Sequence, residues 1–142
     1  MSQDFRINNC GLIDRDKEII FIFNGKKYTG YKGDTLASAL LANGIHLIAR
    51  SFKYHRPRGI IAAGVEDANG KVQLYKNDTT EPNVNVTEVE LVEGLRIESQ
   101  NCWPSVSFDV GAINNLLNRF FPAGFYYKTF MWPKSFWYKV YE

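Results

Sequence analysis

After Glu18 a continuous apolar run extends to Phe23, and Lys26 to Tyr31 after it sets Tyr28 among polar neighbours. Asn24-Gly25 stands between them. These residue types accept the positive φ angles of a type I′ turn, so the stretch predicts a β-hairpin. The pattern then changes period. Leu36 and Leu40, and Ala37 and Leu41, repeat at i, i+4; Asp34 or Thr35 can cap the start, and Gly44 can take the left-handed conformation that ends a helix. One short helix packed by its leucines on the sheet is expected.

Ile45 to Ile48 is a brief apolar stretch, and Ile60 to Gly64, beyond an intervening loop, is small and apolar. Asp67-Ala68-Asn69-Gly70 signals a turn, and Val72 to Tyr75 reads as a strand. Asn77 to Pro82 is expected to be a polar connection. Val84, Val86, Val89 and Leu91 supply further strand-forming positions, and Glu93-Gly94 turns into Leu95 to Glu98. Hairpin, helix, long loop and further strands make a β-grasp the best topology for an α+β domain, although periodicity alone leaves other α+β folds open.

From Pro104 the pattern shifts again. Val110 to Phe121 has helical spacing through Ile113, Leu116, Leu117 and Phe120, and eleven of the 21 aromatic residues fall between Phe120 and Tyr141. Pro122, Gly124 and Pro133 forbid one continuous helix there. The expected organisation is a β-grasp domain over residues 1–103 and a helical, aromatic extension over 104–142. That extension is expected to lie across another domain or subunit, with Phe125, Tyr126, Trp132 and Trp137 as anchors.

Composition narrows this picture. At 142 residues, 45% hydrophobic and 23% charged, the chain suffices for one globular domain and an appendage. Seventeen basic against fifteen acidic residues give a net charge of +2, which argues against a dedicated nucleic-acid binder. No window approaches the ~18 apolar residues of a membrane helix, and Met1 to Cys10 has no apolar signal core. A cytoplasmic protein is expected, with no membrane or nucleic-acid partner.

Charge is concentrated rather than abundant. Between Asp34 and Glu66 no carboxylate balances Arg50, Lys53, Arg56 and Arg58, so the segment Arg50 to Gly59 should carry a local positive field. Lys53, His55, Arg56 and Arg58 are the candidate binding residues. Arginine grips phosphate or carboxylate in a fork, lysine supplies a point charge, and Phe52 or Tyr54 can stack on a ring. A phosphate-bearing cofactor, an acidic partner surface, or carboxylates of neighbouring domains would all fit. His46, in an apolar stretch, reads as a core histidine. Asp34 and Asp109 read as isolated acids, the first already serving as a cap. No catalytic constellation is visible, and no Gly-x-Gly-x-x-Gly fingerprint gives the chain a dinucleotide site of its own. Cys10 and Cys102 are too few for a disulfide framework or a metal site and are expected to be reduced.

The run Gly33 to Gly44, the block Arg50-Ser51-Phe52-Lys53-Tyr54-His55-Arg56-Pro57-Arg58-Gly59-Ile60, and the segment Gly124 to Pro133 together resemble the amino-terminal domain of heterotetrameric sarcosine oxidase alpha subunits. That resemblance implies a [2Fe–2S] ferredoxin-like domain in an enzyme that demethylates sarcosine oxidatively. The products would be glycine, hydrogen peroxide, and formaldehyde or, with tetrahydrofolate, its methylene derivative. It further implies FAD, FMN and NAD in the whole complex, none of them held by this segment alone, and beta, gamma and delta subunits as partners. Ending at Tyr141-Glu142, the chain is expected to be the amino-terminal piece, structural and cofactor-flanking rather than catalytic. The alternative is a free-standing β-grasp binding or electron-transfer module related to the iron–sulfur partners of amine and proline dehydrogenases. A ferredoxin cluster needs four thiolates, three of them close together after the helix, and Arg50 to Leu74 holds no cysteine.

Overall fold

The computed structural model describes residues 3–8, 10–76 and 79–118. Alternation along the first strand sets the sheet's inner face. In β1 (Asp14–Phe23), Phe21 and Phe23 are buried, while Ile20 faces the other way and is 44% exposed. Asn24 and Gly25 have φ of 49° and 77°, the two positive angles that a type I′ turn requires, and the chain returns antiparallel as β2 (Lys26–Lys32). The strand begins earlier than the apolar run, at Asp14, with a break in register between Asp14 and Glu18.

The helix α1 (Leu36–Ala42) presses Leu36, Ala39 and Leu40 into the core and ends at Asn43, with Gly44 at φ 73°. Its cap is Thr35, whose hydroxyl accepts the Ser38 amide at 3.2 Å. Asp34 does something else. Its buried carboxylate accepts from both terminal nitrogens of the Arg6 guanidinium, at 3.1 and 2.6 Å, together with the Tyr31 amide and the Ser38 hydroxyl. An isolated capping acid is thus corrected to the centre of a tie that fastens residues before β1 onto the start of the helix.

Two short strands follow, β3 (Ala49–Arg50) and β4 (Pro57–Arg58), paired antiparallel. Then come β5 (Lys71–Lys76), β6 (Thr79–Asn85) and β7 (Arg96–Ser99). The main sheet runs β2-β1-β7-β5-β6, with β1 and β7 parallel and the other neighbours antiparallel. Phe21, Leu36, Leu40, Ile48, Val72, Val86, Leu91 and Ile97 close the core between sheet and helix, each worth about 1.5–3 kcal/mol of burial. This mixed sheet gripping one helix is a β-grasp of the ferredoxin-like α+β class.

Four expectations change. The polar stretch ending at Pro82 is mostly strand, because β6 lies at the sheet's edge, where polar side chains are solvated and a proline's missing N–H costs nothing. Val86 to Leu91 does not continue that strand. The carbonyls of Val86 and Val89 instead accept the amides of Ala37 and Leu36, satisfying donors that a helix start leaves open. His46 is exposed, with the Phe5 ring edge-on at 5.4 Å, so it is no core histidine. The helix expected from Val110 is a 3₁₀ turn (Val110–Ala112) followed by α2 (Ile113–Leu116), with a turn at Leu117-Asn118. The rest of that helix, the aromatic arm and its anchors Phe125, Tyr126, Trp132 and Trp137 lie outside the described residues.

Candidate functional site

Pairing of β3 with β4 makes the cationic segment a hairpin rather than an open loop. The Ser51 amide donates to the Arg56 carbonyl, the His55 amide to the Ser51 carbonyl, and the Arg56 amide to the Ser51 hydroxyl at 3.0 Å. His55 takes the left-handed conformation, φ 52°, that closes the bend. Gly59 follows where the backbone passes close to its neighbour, since a Cβ there would stand 2.6 Å from the His46 carbonyl oxygen.

The hairpin is not uniformly outward-facing. Arg50 turns inward, donating to the carbonyls of Val106 at 2.8 Å and His55 at 2.9 Å, with Asp109 at 3.7 Å. The His55 Nδ1 lies 2.7 Å from the same Asp109 carboxylate, whose other oxygen accepts the amides of Trp103 and Gly111. Asp109 is therefore no isolated acid, and it supplies from beyond residue 66 the carboxylate that the loop's own neighbourhood lacks. Burial would raise its pKa. The Trp103 amide, His55 and the Gly111 amide outweigh that and hold it below the ordinary value. Gly111 has to be small here, because a Cβ would collide with the His55 ring.

Lys53, Arg56 and Arg58 are arranged differently from His55. Arg56 lies over the Tyr54 ring at 4.7 Å, with Lys53 at 5.1 Å from the same ring. The Arg56 Nε donates to Asn115, and Arg58 donates to the Asn69 amide oxygen. Both arginines are exposed, and among the described residues no carboxylate lies within ion-pairing distance of either. The four sequence-predicted residues thus divide into two cations on an aromatic ring, Lys53 and Arg56, a third, Arg58, tied to Asn69, and one histidine held to an internal acid. Asp109 was not legible as their partner, since its ties to His55 and Arg50 span more than half of the β-grasp segment.

Cys102 is half-buried, and its thiol pKa is raised by burial and by the Asp109 charge, which disfavours a thiolate. It helps line an open cleft of about 520 Å³ with Tyr28, Ile45 and Ser107, and none of Lys53, His55, Arg56 or Arg58 borders that cleft.

The fold defines the class. A family model described as a 2Fe-2S iron-sulfur cluster binding domain matches residues 16–102, and the chain belongs to that family. Among individual proteins, it is 54% identical over 138 residues to the sarcosine oxidase subunit alpha of Rhizobium meliloti (strain 1021), an alignment covering 97% of this chain and 14% of that one. The sarcosine oxidase subunit alpha of Corynebacterium sp. (strain U-96) is 36% identical over 86 residues, 58% of this chain and 9% of the relative. The chain thus spans about a seventh of the first relative's length. A crystal structure of L-proline dehydrogenase from P. horikoshii aligns over 65% of this chain and 17% of its own, with 26% identity and a TM-score of 0.47.

The residues present do not fit the cluster for which the family is described. A two-iron cluster takes four protein ligands, commonly thiolates, yet this chain has two cysteines, and none between Arg50 and Leu74. Cys10 is exposed and Cys102 has a disfavoured thiolate. Among the described residues no three His, Cys, Asp or Glu side chains gather as metal ligands. Among the same residues no helix is long and apolar enough to cross a membrane.

Proposed function

We propose that the chain works as the amino-terminal part of a sarcosine oxidase alpha subunit. The whole enzyme would oxidise sarcosine to glycine, yielding hydrogen peroxide and formaldehyde or methylenetetrahydrofolate. The observation that carries this reading is the 54% identity to such a subunit across 97% of the chain. Within the enzyme this domain is structural and cofactor-flanking, in a cytoplasmic heterotetramer with beta, gamma and delta subunits that holds FAD, FMN and NAD. Electron transfer through a cluster on this domain is disfavoured by the missing thiolates.

The basic hairpin is the domain's contact point in this reading. Lys53, Arg56 and Arg58 present cations to an anionic group, either a cofactor phosphate or acidic side chains of a neighbouring domain, while His55 holds the hairpin to Asp109. Replacing Arg56 and Arg58 together by alanine in the assembled enzyme is expected to weaken subunit association or flavin retention by about tenfold or more, from loss of charge-assisted contacts worth about 1.5–3 kcal/mol. Copurified subunits, flavin content and sarcosine-dependent peroxide formation are the measurements. Unchanged values for all three would make the hairpin a solvated surface.

A further inference from the structure

The turn between β4 and β5 contains a group the basic hairpin does not use. Asp67 is 2% exposed, and among the described residues no cationic side chain holds it. Four main-chain amides do. Its Oδ2 accepts Ile61 at 2.8 Å and Ala62 at 3.1 Å, and its Oδ1 accepts Asn69 at 2.8 Å and Gly70 at 2.7 Å. The turn is tightened further by the Val86 amide donating to the Gly70 carbonyl and the Thr87 hydroxyl donating to the Gly64 carbonyl. Convergent amides of this kind make a concavity for negative charge.

This concavity lies in the stretch between helix and β5, where a plant-type cluster domain gathers cysteines and where cluster sulfurs accept hydrogen bonds. Here the stretch has amides and no thiol. Asn69, whose amide binds Asp67, also accepts from Arg58 through its side chain. The same turn therefore reaches the hairpin.

We propose that the 60–70 turn is organised by an anion, and that the Asp67 carboxylate supplies it internally where cluster-bearing members of the family supply a cluster. The turn is then ordered without iron, and Asp67 is a positioning residue for Arg58, acting through Asn69. The lowered pKa agrees with this: burial would raise the Asp67 pKa, yet the amides of Gly70, Ile61, Ala62 and Asn69 bring it from 3.8 down to about 2. This inference stands independently of the sarcosine oxidase reading.

The test uses the 142-residue chain and its Asp67→Ala and Asp67→Asn variants at pH 5, followed by amide hydrogen exchange. In Asp67→Ala, the amides of Ile61, Ala62, Asn69 and Gly70 should exchange at least tenfold faster than in the parent, with the amides of Ile22 and Asn24 unchanged. Asp67→Asn, which keeps one acceptor oxygen, should fall between them. Sodium formate added to Asp67→Ala should restore protection at least threefold more than sodium chloride of equal ionic strength, an effect no merely space-filling role would give. Should the alanine variant fail to fold, the asparagine variant carries the exchange measurement alone. Parent rates in the asparagine variant, or equal effects of formate and chloride, would overturn the proposal. So would stoichiometric acid-labile sulfide and visible absorption after anaerobic treatment of the parent with iron and sulfide.

Discussion

Two buried carboxylates, Asp67 and Asp109, are stabilised in opposite ways. Asp67 is held by backbone amides from within its own turn and, among the described residues, by no side-chain cation, so its surroundings are dipoles fixed by local chain geometry. Asp109 draws on two local amides and on two side chains distant in sequence, His55, 54 positions earlier, and Arg50. The first arrangement folds one turn. The second fastens two segments to each other, and the orientation of the basic hairpin depends on it.

Removing each acid separates these roles. Asp109→Ala should have the largest effect, destabilising the chain by about 3 kcal/mol, because it leaves His55 and two amides without their hydrogen-bond partner and Arg50 without its ion pair. Urea unfolding measures this, and a loss below about 1 kcal/mol would mean that Arg50 is sufficiently served by the Val106 and His55 carbonyls. Gly111→Ala should cost about 1–3 kcal/mol by driving a methyl group into the His55 ring. Combining it with His55→Ala should recover most of that cost, a non-additivity that a double-mutant cycle reads directly. Strict additivity would place the strain elsewhere.

The smallest effect is the acid limb of stability. Asp67 has a folded-state pKa of about 2 against an ordinary 3.8, so the unfolded chain takes up the proton first as the pH falls. Its contribution is complete above about pH 4 and disappears as the pH drops towards 2. Asp109, also lowered, acts with the same sign. Thermal melts between pH 5 and pH 2.5 should show a falling Tm in the parent chain and a shallower fall in Asp67→Asn. Identical slopes would remove Asp67 from the acid response.

The same contrast explains what was legible in the sequence. Asn24-Gly25, the leucine spacing of Leu36 and Leu40, Gly44, and Asp67 to Gly70 all announce local geometry, and local geometry is what the structure has at each. The blocks from Gly33 to Gly44 and Arg50 to Ile60 led to the family for the same reason, since they carry a contiguous signature. The failures are long-range. Nothing beside Asp109 indicates His55, and nothing beside Asp34 indicates Arg6, because these partners meet only once the sheet has closed. β6 is illegible for another reason: an edge strand needs backbone pairing but no apolar alternation, so its polar residues read as a connection.

The centre of the sheet has a kinetic consequence. β1 and β7 are parallel neighbours, with Ile22 opposite Arg96 and Phe23 opposite Ile97, whereas β1–β2 and β5–β6 join strands adjacent in the chain. Hairpins of that second kind form on a microsecond scale, but a pairing between distant segments must first pay the entropy of closing everything between them. On the ribosome, the first hairpin and the helix can emerge and associate long before Ile97 is available to seal the core. Until then Phe21 and Phe23 lack one wall of their final surroundings, and that interval is when the nascent domain is most open to chaperones and to aggregation.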